Sequence, residues 1–553
     1  MTQADRRALL KKLIKSGIQI SPEALDFLLG LDAPMSVVDS LVGQRDTSAH
    51  PSVLSSEYIA EWLAGENENR ASTPTVLHIE SFSEETETEP KPETLQADVD
   101  PLIRVLKNPT YDTVGSKGTV DDFLALFRDR FNRIKGMYAN RVDTHDALSP
   151  VAIEVKQRAA AGRPARASEG QRAPRRSSVK VIGIVKEKSV SKAQNVVVNI
   201  ETWEKRLNKH DEDEEYSIEI VAVIPTGQKG EKGQQLSEKA SSILLDEVVC
   251  ISGYLDEYGR MIADDVILPD IPMTREVGRA QRDVYAAFIS DIHCGSNEFL
   301  EDEFDLFIGW LGGRDVDSSE KQMVKQIKYL LIAGDLVDGV GVYPEQRGDL
   351  ATPNIHDQYA MLTEKLRRIP DDIRILCIPG NHDAGRQALP RPPIAKEFAA
   401  SLYTLGDRFM MFGDPCQLII EGVNIIMTHG DSLDDLVTSI PGASYERPTV
   451  PMAALLRKRH LAPIYGGKTE LAPLHRDWMV IDTPPDLIHF GHAHHNETDA
   501  YRSIQIINSG TFQGQTEFMR KQGIKPTPGI VTLMNLMTRK LEARVFYESS
   551  PGS

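Results

Sequence analysis

The sequence has few cysteines, no long apolar run and no excess of positive charge. Its four cysteines are widely spaced and form no Cys-x-x-Cys pair, which argues against a disulfide framework and a structural zinc site. No run of about 18 apolar residues occurs, so no membrane span is predicted. The N-terminus lacks the apolar core of a signal peptide, and we therefore expect a cytosolic protein.

The net charge of −18 opposes binding to nucleic acid, because phosphate neutralisation needs local lysine and arginine. The charge is unevenly distributed along the chain, however. Residues 51–100 carry twelve acidic and two basic residues, whereas residues 156–180 carry eight basic residues and one acidic residue. The whole-chain charge is thus a poor guide to whether the protein binds DNA.

Composition and apolar periodicity predict a multidomain α+β protein. The 553 residues are enough for three or four folded units. We expect a small N-terminal helical module at 1–45, an acidic disordered tether at 46–100, a helical segment at 101–150, a basic linker at 151–178, an OB-fold β-barrel at 179–275 and a large α/β domain at 280–548.

The two tethers and the barrel leave alternatives open. The acidic tether is too polar to bury a core, and the basic linker is either a hinge or a phosphate contact. Strand-like runs at 179–185, 195–200, 216–224, 248–254 and 261–268 favour the barrel, a fold that often binds single strands. Aromatic residues for base stacking are sparse there, with Trp203, Tyr254 and Tyr258 as candidates, so a protein-docking barrel is the alternative.

Five strand-like apolar runs in the second half of the chain end in residues that suit a metal. The five blocks are Asp291-Ile292-His293, Gly334-Asp335 with Asp338 close behind, Gly380-Asn381-His382-Asp383, His429-Gly430 and His492-Ala493-His494. Ligands in layered α/β folds bind at the carboxyl ends of strands, and glycines allow the sharp turns needed there. A single such block is usually an ordinary turn, but five in succession predict a shared site.

The donor atoms of these blocks indicate more than one metal. Two carboxylates, four imidazoles and one amide oxygen are too many ligands for one ion and suit two ions that share a carboxylate. Oxygen and nitrogen ligands without thiolate favour Mn²⁺, with Mg²⁺, Zn²⁺ and Fe as alternatives. Cys294 is not needed as a ligand and is interpreted as a small apolar residue at the strand end.

The order of the blocks resembles the calcineurin-like metallophosphoesterases, whose pattern is DxH, GDxx(D/E), GNH(D/E), a lone His and GHxH. The match runs through about residues 284–512 and implies a four-layer α/β/β/α phosphoesterase domain at 280–548. It implies that Asp291, His293, Asp335 and His494 hold one metal and that Asp335, Asn381, His429 and His492 hold the other.

The same resemblance implies roles for three residues that do not bind metal. His382 would stabilise or protonate the leaving oxygen, Asp383 would orient His382, and Asp338 would support a metal ligand. The implied reaction is in-line hydrolysis of a phosphodiester.

The domain order resembles that of the small subunits of archaeal family D DNA polymerases. Stretches at 118–123 with 127–131, 338–344, 459–466, 508–513 and 526–529 carry this second likeness. It implies a nucleoid-associated heterodimer in which a large catalytic subunit performs DNA synthesis and this chain proofreads single-stranded or primer 3′ ends as a 3′–5′ exonuclease. A sliding clamp is a further candidate partner, although no clear clamp-binding peptide is present.

A basic run between the fourth and fifth blocks is a candidate substrate-binding element. Arg457, Arg459 and His460 are predicted to contact DNA phosphates, with a solvated basic helix end as the alternative. Two other functions remain open at this stage. One is a stand-alone metal-dependent phosphodiesterase or nuclease, and the other is a purely structural polymerase subunit with an inactive site.

Overall fold

A computed structural model of the chain describes residues 102–139, 141–161, 178–207 and 213–547, with eight separate N-terminal positions between 19 and 54. Strand β1 (Gln19–Ile20) pairs in parallel with β2 (Val53–Leu54). The remainder of the predicted N-terminal module and acidic tether lies outside the described residues, as does 162–177 of the predicted basic linker.

A strand and two helices precede the barrel: β3 (Ile103–Lys107), α1 (Val120–Ala139) and α2 (Pro150–Ala161). The N-terminus of α1 is capped reciprocally, since Asp122 N donates to Thr119 Oγ1 at 3.3 Å and Thr119 N donates to Asp122 Oδ2 at 3.0 Å. The sequence correctly predicts the start of this helix. The prediction of a linker from residue 151 is wrong, because Pro150 begins a helix that continues through an alanine-rich turn.

The barrel is closed and has five strands: β4 (Val179–Val190), β5 (Val196–Leu207), β6 (Asp213–Ile224), β7 (Val248–Leu255) and β8 (Met261–Ile267), in the order β4-β5-β6-β8-β7. Helix α3 (Glu231–Ser241) connects β6 to β7, and β6 pairs with β8 in parallel. Helix α1 packs on the barrel, with the rings of Phe131 and Trp203 centred 3.9 Å apart. Trp203 therefore packs against α1, which conflicts with its prediction as a base-stacking residue.

Two six-stranded sheets form the large domain. The first has the order β12-β11-β10-β9-β18-β19, and its strands are β9 (Tyr285–Ile289), β10 (Ile327–Ala333), β11 (Arg374–Ile378), β12 (Phe409–Met411), β18 (Ile530–Asn535) and β19 (Leu541–Val545). The second has the order β16-β17-β15-β14-β13-β3, and its further strands are β13 (Cys416–Ile420), β14 (Val423–Met427), β15 (Leu487–Phe490), β16 (Glu497–Tyr501) and β17 (Ile504–Asn508). Strand β3, far upstream in the chain, thus forms an edge of the second sheet.

The helices of this domain are α4 (Glu301–Leu311), α5 (Lys321–Gln326), α6 (Ile355–Leu366), α7 (Lys396–Tyr403), α8 (Leu433–Ser439), α9 (Thr449–Lys458) and α10 (Glu517–Gln522). Short 3₁₀ turns lie at Gln346–Gly348 and Gly406–Arg408. Among the residues that the structure describes, none of the helices combines the length and apolar character needed to cross a bilayer.

Hydrophobic side chains alternate along the strands between two packing surfaces. One cluster joins the two sheets and includes Phe288, Leu331, Leu418 and Ile425. A second joins the first sheet to α4, α6 and α7 and includes Ile289, Leu330, Phe304, Leu362 and Leu402. A third joins the second sheet to α8 and α9 and includes Ile426, Phe490, Leu436 and Met452. Both faces of the central strands are therefore buried, which explains their almost continuous apolar runs.

Candidate metal centre

The predicted ligands follow strands of both sheets. Asp291 and His293 come after β9, Asp335 after β10, Asn381 after β11, His429 after β14, and His492 and His494 after β15. Backbone hydrogen bonds connect these loops: Asp291 N donates to Gly334 O at 3.0 Å, and Gly491 N donates to His429 O at 2.8 Å. The site is consequently supported at the carboxyl ends of strands from both sheets.

The backbone at most of these positions is in the left-handed region. Positive φ values near 50–65° occur at Asp291, His293, Asp335, His492 and His494. This conformation is unfavourable for residues other than glycine. It persists where the surrounding structure enforces it, often at functional sites. These turns follow β9, β10 and β15 within a few residues, so the unusual backbone lies where the predicted ligands do.

One group of ligand atoms surrounds His293 Nε2. His494 Nε2 lies 3.1 Å from it, and the carboxylate Oδ2 of Asp335 lies 3.6 Å from it. His494 Nε2 is also 3.3 Å from Asp291 Oδ1. Asp291, His293 and His494 each offer a ligand atom within 4.8 Å of the others, so they can share an ion.

A second group surrounds His429 Nε2. This nitrogen lies 2.9 Å from Asn381 Oδ1 and 3.4 Å from Asp335 Oδ2. His492 Nδ1 lies 3.2 Å from Asn381 Oδ1 and 3.3 Å from His429 Nε2. The same oxygen of Asp335 therefore faces both groups.

These separations fit metal coordination. Ligand atoms about 2.1 Å from a cation are roughly 3.0–3.4 Å from each other in octahedral or tetrahedral geometry. Three imidazoles also direct their second nitrogen outward to an acceptor: His293 Nδ1 to Asp338 Oδ1 at 2.9 Å, His429 Nδ1 to Ala333 O at 2.8 Å and His492 Nε2 to Asp434 Oδ1 at 3.0 Å. A proton on the outward nitrogen leaves a lone pair pointing inward, as a metal ligand requires.

The acid–base balance of the site agrees with this arrangement. Burial opposes charge on His429, but the carboxylates of Asp335 and Asp291 outweigh it and raise the pKa of His429 well above its ordinary value. Burial likewise opposes charge on Asp335, yet His429 and His382 lower the pKa of that carboxyl. Asp335 and His429 thus stabilise each other's charged forms, and a divalent cation would take the place of the His429 proton that faces Asp335.

His382 lies beside the ligands and lines the cavity above them. Its Nδ1 donates a hydrogen bond to the Asp338 carbonyl oxygen at 2.8 Å, which leaves Nε2 available to a bound molecule. Burial lowers the pKa of His382. The imidazole is therefore fixed in orientation by a backbone oxygen.

The prediction that Asp383 orients His382 is wrong in its contacts. The Asp383 carboxylate accepts hydrogen bonds from Gly380 N at 2.9 Å, Leu336 N at 3.1 Å and Tyr359 Oη at 3.0 Å. Burial, together with the charge of Asp335, raises the pKa of Asp383 to about 6. Asp383 thus connects the loops that carry Asp335 and Asn381, because a carboxylate forms strong hydrogen bonds with the backbone N–H groups beside it.

Asp338 supports His293, a predicted metal ligand. Its Oδ1 accepts from His293 Nδ1 and from Gln513 Nε2 at 3.1 Å, and its carbonyl oxygen accepts from Gln346 Nε2 at 2.8 Å. One residue therefore orients both His293, through its carboxylate, and His382, through its backbone.

A cavity of about 500 Å³ opens over the ligands. Sequence reasoning missed several residues of its wall, namely Tyr343, Asp434, Tyr445, Lys468, Gln513 and Met519. Asp434 had a local signal, because it follows His429 by five residues in an acidic stretch that also contains Asp431 and Asp435. Tyr343 and Gln513 lie in the stretches 338–344 and 508–513 that carry the family likeness, whereas Tyr445, Lys468 and Met519 come from separate elements and had no local signal.

The basic run is placed mostly inside the protein. Arg459 is 4% exposed and donates to Ile481 O, and His460 is 1% exposed with Nε2 2.9 Å from Asp477 Oδ2. These contacts contradict the prediction that both residues grip DNA. Arg457 is exposed and stacks over the ring of Tyr501. The run ends α9, and three of its members, Lys458, Arg459 and His460, form hydrogen bonds inside the protein.

Comparison with known proteins gives related chains over nearly the whole length. Residues 286–499 match the family model that describes the B subunits of DNA polymerases alpha and epsilon. A "DNA polymerase II small subunit" of Methanocaldococcus jannaschii is 38% identical over 79% of this chain and 68% of its own length. The protein with the same description from Methanothermobacter thermautotrophicus is 32% identical over 96% of this chain and 98% of its own.

A solved structure described as a novel archaeal phosphodiesterase is also similar. It is 11% identical, with a TM-score of 0.25, and the match covers 47% of this chain and 99% of that one. A likeness at this TM-score supports no argument about activity. Any proposal of activity therefore rests on the geometry of the site.

Proposed function

This chain belongs to the DNA polymerase II small-subunit family, and from that premise we propose that its metal centre is a 3′–5′ exonuclease acting on single-stranded DNA ends. Its partner would be a large subunit that performs DNA synthesis, so polymerase activity would belong to the heterodimer. A nuclease that removes mismatched 3′ ends supports synthesis without contributing to nucleotide addition.

The position of Asp335 between two imidazoles carries the proposal. Its Oδ2 lies 3.6 Å from His293 Nε2 and 3.4 Å from His429 Nε2. A carboxylate with ligands on both sides is the expected bridge of a two-metal site. Two divalent cations would be held by the ligand sets predicted from sequence, with Mn²⁺ favoured by the oxygen and nitrogen donors.

The protein's residues define the rest of the mechanism. When bound, the two cations supply a nucleophilic water at neutral pH and neutralise charge on the phosphoryl oxygens. Donation from His382 Nε2 to the leaving 3′ oxygen would require the imidazolium form, in which Nδ1 still donates to the Asp338 carbonyl and the charges of Asp335 and Asp338 oppose the effect of burial. His382 N donates to Asp335 Oδ1 at 2.8 Å, which ties this imidazole to the bridging carboxylate. These two hydrogen bonds hold the His382 imidazole, which would face the leaving oxygen, in a fixed position relative to the Asp335 carboxylate.

We also propose a fold for the barrel and for the large domain. The barrel closes with its first strand between the second and fourth and its third strand parallel to the fifth, which supports an OB-fold. The three clusters of the large domain support a four-layer α/β/β/α phosphoesterase domain. The metal centre then lies at the strand ends, where such folds bind ligands.

Hydrolysis of an end-labelled oligonucleotide tests the activity. The full chain, with and without its large subunit, is incubated with single-stranded DNA labelled at the 5′ or the 3′ end in Mn²⁺, Mg²⁺, Zn²⁺ or Fe²⁺. We expect stepwise shortening from the 3′ end that is abolished in His382→Ala, while that variant retains its metal content. His356→Ala is the matched control, because His356 is exposed on α6.

Each other outcome favours a different function. Turnover of a small phosphodiester without DNA cleavage would indicate a stand-alone phosphodiesterase. A chain that binds no Mn²⁺ would indicate a purely structural subunit. Loss of metal from His382→Ala would overturn its assignment as a residue that does not bind metal.

A further inference from the structure

Lys468 lines the cavity over the metal centre and carries a positive charge that none of the described residues pairs with. Of the lining residues that the structure describes, it is the only lysine or arginine. We propose that Lys468 binds a phosphate next to the scissile one, so that the site selects a nucleic-acid strand over a small phosphodiester. The inference rests on the proposed exonuclease function and adds a residue that selects the strand.

The backbone of Lys468 is held tightly by one carboxylate. Asp435 Oδ1 accepts from Lys468 N at 2.7 Å, and Asp435 Oδ2 accepts from Thr469 N at 3.0 Å. A Cβ on the preceding Gly467 would lie 2.4 Å from Asp435 Oδ1, so the carboxylate occupies the space that a side chain would need. Thr469 Oγ1 also donates to Asp431 O at 3.1 Å. The loop that presents Lys468 is therefore fixed from residue 467 to 469.

The same helix connects this loop to the metal centre. Asp434, next to Asp435 on α8, lies 3.0 Å from His492 Nε2 and accepts from Tyr445 Oη at 2.7 Å. Adjacent carboxylates of one helix thus hold a predicted metal ligand and the Lys468 loop. This fixes the backbone of Lys468 relative to the predicted metal ligands, over which the scissile phosphate would lie.

The acidic residues of the cavity favour such a cation when a strand is bound. Asp335, Asp338 and Asp434 line it, and the protein as a whole is strongly acidic. Metal ions at the ligand sets would offset charge at the scissile phosphate, but a neighbouring phosphate of a strand needs its own neutralisation. The basic run at 457–460 does not line this cavity, whereas Lys468 does. A small phosphodiester has no second phosphate and gains nothing from Lys468.

Comparing two substrates separates this role from a general one. Lys468→Ala, Lys468→Arg and the control Lys540→Ala are assayed as full chains with the large subunit in Mn²⁺. Lys540 is an exposed lysine of the hairpin between β18 and β19. For Lys468→Ala we expect a roughly fivefold rise in KM for a single-stranded oligonucleotide and unchanged turnover of bis(p-nitrophenyl) phosphate. Lys468→Arg should restore most of the KM, because it keeps the charge.

A binding measurement makes the test independent of catalysis. Fluorescence anisotropy of a labelled oligonucleotide, with His382→Ala as background, gives the slope of log K against log salt. Removal of Lys468 should reduce that slope by about 0.7, the value for one phosphate contact on a single strand. Equal losses on both substrates, or an unchanged slope, would overturn the inference. If wild type hydrolyses neither substrate, the proposed function fails, and the slope alone decides whether Lys468 binds the strand.

Discussion

Lys458 Nζ donates a hydrogen bond to the carboxylate of Glu247, and both side chains are 2% exposed. Lys458 ends α9 in the large domain, whereas Glu247 immediately precedes β7 of the barrel. The Nζ also donates to Ser242 O at 2.8 Å. A lysine from a run that the sequence presents as a DNA contact therefore joins the barrel to the domain that carries the candidate metal centre.

Breaking this pair should destabilise the protein. Lys458→Ala leaves Glu247 buried without its cation, and the loss expected for such a change is about 3–5 kcal/mol of unfolding free energy. The double variant Lys458→Met with Glu247→Leu removes both charges and should recover most of the loss. Urea unfolding of the three proteins measures this, and a double variant as unstable as Lys458→Ala would contradict the explanation.

Asp335→Ala should lose both proposed metals. The carboxylate faces His293 on one side and His429 on the other, so its removal takes a ligand from each set. Metal content by inductively coupled plasma mass spectrometry, after dialysis against Mn²⁺, measures the result. Asp499→Ala, an exposed position on β16, is the control that should keep its metal. One ion retained at full occupancy would show that Asp335 does not bridge.

Asp434→Ala should weaken one metal more than the other. The carboxylate orients His492 through Nε2, and loss of such a partner usually lowers metal affinity about 10- to 100-fold. Tyr445→Phe removes the other hydrogen bond to Asp434 and leaves the contact with His492, so its affinity should be close to wild type. Titration calorimetry with Mn²⁺ resolves the two sites. Equal weakening in both variants would refute the role given to Asp434.

Acid should destabilise the fold through His460. Burial, with the charge of Arg130, lowers the pKa of His460 to about 4, against about 6.5 in an unfolded chain. The unfolded state therefore binds a proton that the folded state does not, and stability present above pH 6.5 is lost as the pH falls towards 4. Between pH 7 and 4.5, the free energy of unfolding should fall by roughly 2–3 kcal/mol more for wild type than for His460→Gln.

The matched control for the pH experiment is His145→Gln, since His145 is exposed. It should follow the wild-type curve throughout. A His460→Gln curve that runs parallel to the wild-type curve would show that His460 is not the group that titrates.

Local sequence was enough for the strands that lead into the site. The apolar runs before Asp291, Asp335 and His429 predict β9, β10 and β14, because a strand buried on both faces needs apolar residues at every position. The capped start of α1 at Thr119 was predicted for the same kind of reason, since Thr119 and Asp122 are three residues apart. Five barrel strands were also foreseen, and the structure has a closed five-stranded barrel.

The predictions that were wrong concern residues whose partners lie far away in the sequence. His460 and Arg459 look like surface cations in a basic run, yet their partners Asp477 and Ile481 come from a later loop. Lys458 finds Glu247 at a separation of 211 residues. Whether a charged side chain is buried depends on such distant partners, because burial of a charge is tolerated only where it is paired.

The sequence by itself therefore determined which residues stand at the ends of apolar strands, and with them the candidate donor set and the family. Only the tertiary structure decided which side chains share the cavity: Asp434 behind His492, the Asp338 carbonyl on His382 and Lys468 on the wall. Strand ends are specified by local backbone and apolar pattern, whereas contacts between loops depend on how the two sheets pack. That packing is set by the whole core and leaves no local signal in the loops it brings together.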